Sequence, residues 1–160
     1  MQIRQGLAHD RERGVVLWVP FVEAILASSE AEAGEIESAL ASAGRAITEA
    51  ERIGQSWFAA ETHRIHGDIL LKADPENVDP AEQAYLTAIA TAQRQGARGF
   101  MLRVSLSLAK LYQSTGRPLD AQAVLAPALE GFSPTSQMPE FAEAQALLVT
   151  IEAGAHVRHQ

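Results

Sequence analysis

A chain of 160 residues falls within the size of one ordinary domain, and 47% hydrophobic with 21% charged residues is the balance of a globular protein that buries a core. The formal net charge of -7 argues against nucleic-acid binding, because a phosphate backbone is bound mainly by surplus Lys and Arg. The absence of cysteine excludes a disulfide framework and a thiolate metal site.

Helical periodicity divides the first half of the chain into four predicted helices. Residues 1–12 form a short, weakly apolar helix, and residues 17–29 form a strongly apolar one. Residues 35–54 are amphipathic, and residues 57–72 form the next helix. The amphipathic stripe repeats at i, i+3, i+4 and i+7 and consists of Ile36, Ala39, Leu40, Ala43, Ile47 and Ala50.

Four further helices are predicted over residues 79–96, 100–114, 118–132 and 139–152. Asp79 supplies an N-cap acceptor, and Pro80 is tolerated at the first helical position. The sequence therefore predicts an all-α protein of about eight helices. We predict a single helical-repeat domain over residues 1–153 and a frayed tail over residues 154–160.

The helices repeat at an interval of about forty residues. Ala39, Ala81 and Ala121 lie 42 and 40 residues apart, at equivalent positions in the second helix of three successive helical hairpins. The first helices follow the same interval, with small residues at Ala27, Gly67 and Ala109 and aromatic residues at Trp18, Trp57 and Phe100. Each helical hairpin alone leaves an apolar face exposed, so we predict that the hairpins stack.

Gly67 is the position for which the repeat makes the most specific prediction. The small residue of a first helix and an alanine of the second mark where two antiparallel helices come close. The larger residue three positions before that alanine fills the gap, which pairs Gly67 with Ala88 and Tyr85. The same alignment makes residues 1–12 an unpaired half-repeat, the second helix of a hairpin within a longer array.

The pattern of small residues and alanines resembles the tetratricopeptide repeat, which implies a right-handed stack of antiparallel helical hairpins. Longer segments resemble the C-terminal helical-repeat region of bacterial class III adenylate cyclases and related multidomain P-loop ATPase regulators: Trp57-Phe58-Ala59-Ala60-Glu61-Thr62-His63-Arg64-Ile65-His66-Gly67-Asp68, Ser107-Leu108-Ala109-Lys110-Leu111-Tyr112 and Pro139-Glu140-Phe141. The resemblance implies a non-catalytic scaffold without a cofactor, part of a signalling protein. Cyclase or ATPase chemistry is expected outside this chain, which has no Gly-rich phosphate loop.

Eight polar side chains on two first helices form the predicted binding groove for a protein or peptide partner. By the repeat alignment, first helices line the concave side of the stack and expose their polar residues there. These residues are Glu61, Arg64, Asp68 and Lys72 on one helix and Arg103, Ser107, Lys110 and Gln113 on the next.

Charge is divided unevenly along the chain. The early part is acidic, with Glu23, Glu30, Glu32, Glu35, Glu37, Glu49 and Glu51, and the late part is basic, with Arg94, Arg98, Arg103, Lys110 and Arg117. Solvated polar faces account for this pattern. The competing interpretation is that the basic part meets an acidic partner or another copy. The unpaired helix over residues 1–12 is expected to expose apolar surface, so self-association with another copy through it is an alternative function.

His63 and His66 lie three residues apart on one helix and suggest a second alternative, a small metal-dependent helical enzyme. No nearby spacing supplies the further ligands, so we predict no metal site and no catalytic residue. No apolar run reaches the roughly 18 residues that span a bilayer, and the N-terminus lacks signal-peptide features. We therefore expect no membrane partner and a cytoplasmic location.

Overall fold

The computed structural model describes residues 5, 18–54, 56–133 and 136–157. This part of the chain contains seven α-helices and no strand, which confirms the predicted all-α class. The helices are α1 (Val19–Glu32), α2 (Ile36–Arg52), α3 (Ala59–Ala73), α4 (Asp79–Gln95), α5 (Arg98–Ser114), α6 (Pro118–Leu129) and α7 (Pro139–Val157). The predicted unpaired helix over residues 1–12 lies outside the described residues except for residue 5.

The turn between α5 and α6 shows how the sequence sets a helix end. Gly116 adopts a φ of 74°, the left-handed conformation that glycine accepts at little cost. Its N–H donates to the Gln113 carbonyl at 3.2 Å, and the Arg117 N–H donates to the Tyr112 carbonyl at 2.7 Å. These two bonds form a Schellman motif, and Pro118 then begins α6. The predicted break between the helices over residues 100–114 and 118–132 is confirmed.

Residues 1–91 and residues 92–160 form two compact units, here called unit 1 and unit 2, and the division falls within the range of α4. In unit 1, α1 and α2 pack as a hairpin joined by three residues, and α3 contacts both. Their shared core is rich in alanine and consists of Ala24, Ala27, Ala31, Ala39, Ala43, Ala46, Ile65 and Ile69. Small side chains here permit close approach of the helices.

Gly67 lies at a close approach between α3 and α4. A Cβ atom built on Gly67 would be 2.6 Å from Cε1 of Tyr85, and the Tyr85 ring is buried. The predicted pairing of Gly67 with Tyr85 is confirmed, because the tyrosine ring occupies the space that any side chain at position 67 would need.

In unit 2, α6 packs against both α5 and α7, and α5 also contacts α7. Its buried residues include Leu102, Leu108, Leu125, Phe141 and Ile151. The last helix ends at Val157, so the predicted end near Glu152 is wrong, since the helical pattern continues through small residues. Assignment of the whole chain to one repeat domain remains a prediction. No helix of the described residues combines the length and apolar character that crossing a membrane requires.

Candidate functional site

The polar residues predicted on α3 form a network within unit 1. Arg64 holds Glu61 with Nη2 2.7 Å from Oε1 and holds Asp68 with Nη1 2.5 Å from Oδ2. The Tyr85 hydroxyl donates to Asp68 Oδ1 at 2.6 Å. Glu61 is only 5% exposed, so its predicted exposure on a groove is wrong. The ion pair with Arg64 offsets the desolvation of this buried carboxylate.

Burial and charge shift the pKa values of this network in different directions. Burial raises the pKa of Asp68, although the Arg64 guanidinium and the Tyr85 hydroxyl act in the opposite direction. Burial also raises the pKa of Tyr85, and the neighbouring Asp68 carboxylate raises it further. For Arg64, burial disfavours the charged form, but the hydrogen bond to Glu61 and the nearby carboxylates raise the pKa overall. Arg64 therefore remains charged and holds the network together.

Lys72, the fourth groove residue on α3, contacts the end of α1. Its Nζ donates to the Ala31 carbonyl at 2.5 Å. Ala31 belongs to the last turn of α1, where carbonyl groups lack helical partners and a cation is favourable. Lys72 thus ties two neighbouring first helices of unit 1 together.

The four binding residues predicted on α5 lie in unit 2, and two of them form ion pairs with α7. Arg103 Nε lies 2.9 Å from Glu140 Oε1, and Lys110 Nζ lies 2.6 Å from Glu143 Oε1. Arg103 and Lys110 are 40% and 52% exposed, Ser107 is half-buried and Gln113 is exposed. The Lys110–Glu143 pair is therefore open to solvent, whereas the Arg103 Nε that contacts Glu140 is itself buried within a partly exposed side chain.

A cavity of about 280 Å³ lies at the N-terminal end of α5. It is lined by Ala97, Gly99, Phe100, Arg103 and Met138. Arg103 is the one predicted groove residue in this lining. Sequence reasoning missed the cavity because Met138 belongs to the segment before α7, which no repeat position connects to α5.

Two acidic residues on α1 are buried rather than solvated. Glu23 is 1% exposed and pairs with Arg45, whose Nη2 lies 3.2 Å from Oε2. Glu30 is 5% exposed and accepts a 2.7 Å hydrogen bond from the Ser42 hydroxyl. For these two residues, the interpretation of the acidic part as a solvated or partner-facing surface is wrong. Arg45 and Ser42 lie one helical turn apart on α2, and Arg45 Nη2 donates to the Ser42 hydroxyl at 2.8 Å, which links the two carboxylate contacts.

Four aromatic side chains cluster where α1 and α3 begin. The ring centroids of Trp18 and Trp57 are 5.8 Å apart, and those of Phe21 and Phe58 are 4.8 Å apart. Trp57 is nevertheless 45% exposed and Trp18 is 59% exposed. Trp57 contacts the other three rings but is half exposed, so it is not an interior side chain.

His63 and His66 are both half-buried on α3. Burial lowers the pKa of His66. In the part of the chain that the structure describes, no group of three or more His, Cys, Asp or Glu side chains is arranged to hold a metal ion.

Neither a protein-family model nor a curated protein matches this chain. The resemblance to the tetratricopeptide-like region of cyclases and ATPase regulators therefore remains a prediction from the residues quoted above.

Proposed function

We propose that this chain is a non-catalytic scaffold that binds a protein or peptide, with its hairpins in a tetratricopeptide-like, right-handed stack. The observation that carries the proposal is that two cations of α5 form ion pairs with α7, of which Lys110–Glu143 is open to solvent. Arg103–Glu140 and Lys110–Glu143 join partly exposed side chains, and such pairs contribute about 0–1 kcal/mol to stability. A carboxylate from a partner can replace either acid at small energetic cost.

The internal contacts of unit 1 indicate that the binding surface does not lie on α3. Glu61, Arg64 and Asp68 satisfy one another and Tyr85, which suits a structural role on α3. We therefore assign the binding surface to Arg103, Ser107, Lys110 and Gln113 on α5. The sequence resemblance supports a narrower role as the repeat module of a nucleotide-cyclase-like or ATPase-type signalling protein, whose chemistry another domain supplies.

Charge reversal tests the binding surface. Arg103→Glu with Lys110→Glu should abolish capture of the proteins that wild-type chain retains, as measured by quantitative mass spectrometry of eluates. Arg52→Glu with Arg94→Glu is the matched control, because it changes net charge equally at two exposed positions on α2 and α4. Equal capture by wild type and both double variants would contradict the proposal.

Self-association is the second candidate function, and a row of exposed apolar side chains on α7 favours it. Ala142, Ala146, Val149 and Ala153 recur at i, i+4, i+7 and i+11 and are all exposed, Val149 by 65%. This spacing is that of a helix-pairing seam. If two copies pair there, wild type should be dimeric in light scattering and Val149→Asp should be monomeric. A monomeric wild type at high micromolar concentration would exclude this candidate.

A further inference from the structure

The cavity in unit 2 has the size and lining for one apolar side chain. Its volume of about 280 Å³ lies just below the roughly 300–1,000 Å³ typical of small-molecule sites. Phe100 and Ala97 give it apolar walls, Gly99 leaves room, and the flexible thioether of Met138 adapts to different shapes. Arg103 adds one cation to this lining.

The cavity adjoins a row of side chains along one face of α5. Phe100, Arg103, Ser107 and Lys110 are spaced by three, four and three residues, so they share one face of the helix. Arg103 and Lys110 lie seven positions apart on the helix, or about 10 Å at 1.5 Å per residue. Three residues of an extended peptide cover about the same distance at about 3.3 Å each.

The two cations on this face, Arg103 and Lys110, each contact a carboxylate of α7, so an acidic ligand has to displace Glu140 or Glu143. Helix α5 contains three basic residues, Arg98, Arg103 and Lys110, and no acidic residue. Glu140 lies in the first turn of α7, where the helix N-terminus stabilises a carboxylate independently of Arg103. A competing carboxylate can therefore take over the cation while Glu140 keeps a favourable environment.

We propose that unit 2 binds an extended acidic segment of a protein partner. One large apolar side chain of the segment enters the cavity at Phe100 and Met138. Two carboxylates, about three residues apart, pair with Arg103 and Lys110. This inference rests on the proposed function and adds the chemistry of the partner.

Selection from a phage-displayed library of random linear peptides on the full chain tests the proposal. Enriched peptides should combine a large apolar residue with acidic residues. The affinity of the best peptide, labelled with fluorescein, is then measured by fluorescence polarisation and should be at least about tenfold weaker for Gly99→Leu than for wild type. A Cβ on Gly99 meets only Met138 Cε, at 3.8 Å, so a leucine at this position fills the cavity.

Gly44→Leu is the matched control, since a Cβ at this helical position of α2 has no neighbour within 4 Å. The affinity of Gly44→Leu for the labelled peptide should equal that of wild type. Circular dichroism checks the fold of each variant, and Met138→Arg in the segment before α7 replaces Gly99→Leu if the latter does not fold.

The outcomes separate the cavity from the general binding surface. Loss of binding with Arg103→Glu and Lys110→Glu, but full binding with Gly99→Leu, would overturn the cavity assignment and leave the proposed function standing. Full binding with all of these variants would overturn both. Enrichment of basic or uncharged peptides, or no enrichment, would overturn the acidic-segment proposal.

Discussion

The missing side chain of Gly67 is what allows the Tyr85 ring to lie against α3. A Cβ at position 67 would be 2.6 Å from Cε1 and 2.8 Å from Cδ1 of that ring. The ring cannot move away freely, because Tyr85 is 2% exposed and its hydroxyl is bonded to Asp68. Gly67→Ala should therefore lower the free energy of unfolding by about 1–3 kcal/mol, the range for overpacking, as measured by urea denaturation.

Two companion variants separate overpacking from helix propensity. Gly44→Ala should stabilise by about 0.5–1 kcal/mol, because Gly44 is helical and its Cβ would meet nothing within 4 Å. In the Gly67→Ala background, Tyr85→Leu should cost less than it does alone. Equal effects of alanine at positions 67 and 44 would contradict the close approach.

Removal of Arg45 should expose the cost of the buried Glu23 carboxylate. Arg45→Met keeps most of the side-chain volume and removes the charge that faces Glu23, so we expect a loss of about 1–3 kcal/mol. Arg52→Met on the same helix should cost much less, because its pair with Glu49 is exposed. Thermal unfolding of the two variants side by side gives the comparison. Equal losses would show that the burial of Glu23 has no energetic consequence.

Periodicity predicted the helices well because it reports directly on which residues share a face. The predicted helix over residues 17–29 is observed as Val19–Glu32, and the one over residues 79–96 as Asp79–Gln95. The Gly67–Tyr85 contact was predictable for a related reason, since a repeat interval aligns small and large residues of neighbouring helices.

The polar contacts were harder to predict because they depend on which helices meet. Glu23 and Glu61 are charged residues that the sequence alone would place in solvent, yet both are buried against an arginine. Ser42, a polar residue within the alanine stripe of α2, was the available signal for a buried acid. The cavity beside Met138 had no sequence signal, because it combines a helix start with an irregular segment.

The aromatic cluster should contribute less stability than its size suggests. Trp57 is 45% exposed, so Trp57→Ala should cost about 1–2 kcal/mol rather than the roughly 3–5 kcal/mol of a fully buried tryptophan. A double-mutant cycle with Trp18→Ala should give a coupling of about 0.5–1.5 kcal/mol for the edge-to-face pair. A single-variant loss above about 3 kcal/mol would show that Trp57 acts as an interior anchor.

The depressed pKa of His66 predicts a loss of stability in mild acid. Burial lowers the folded-state pKa below the ordinary value of 6.5, so the unfolded chain takes up a proton first as pH falls. The contribution of His66 to the free energy of unfolding is complete above pH 6.5 and declines as pH falls from 6.5 through the folded-state pKa. The slope for one group stays below about 1.4 kcal/mol per pH unit. Urea denaturation between pH 7.5 and about pH 5 should show that His66→Gln unfolds with a weaker pH dependence than wild type, whereas identical profiles would show that His66 does not contribute.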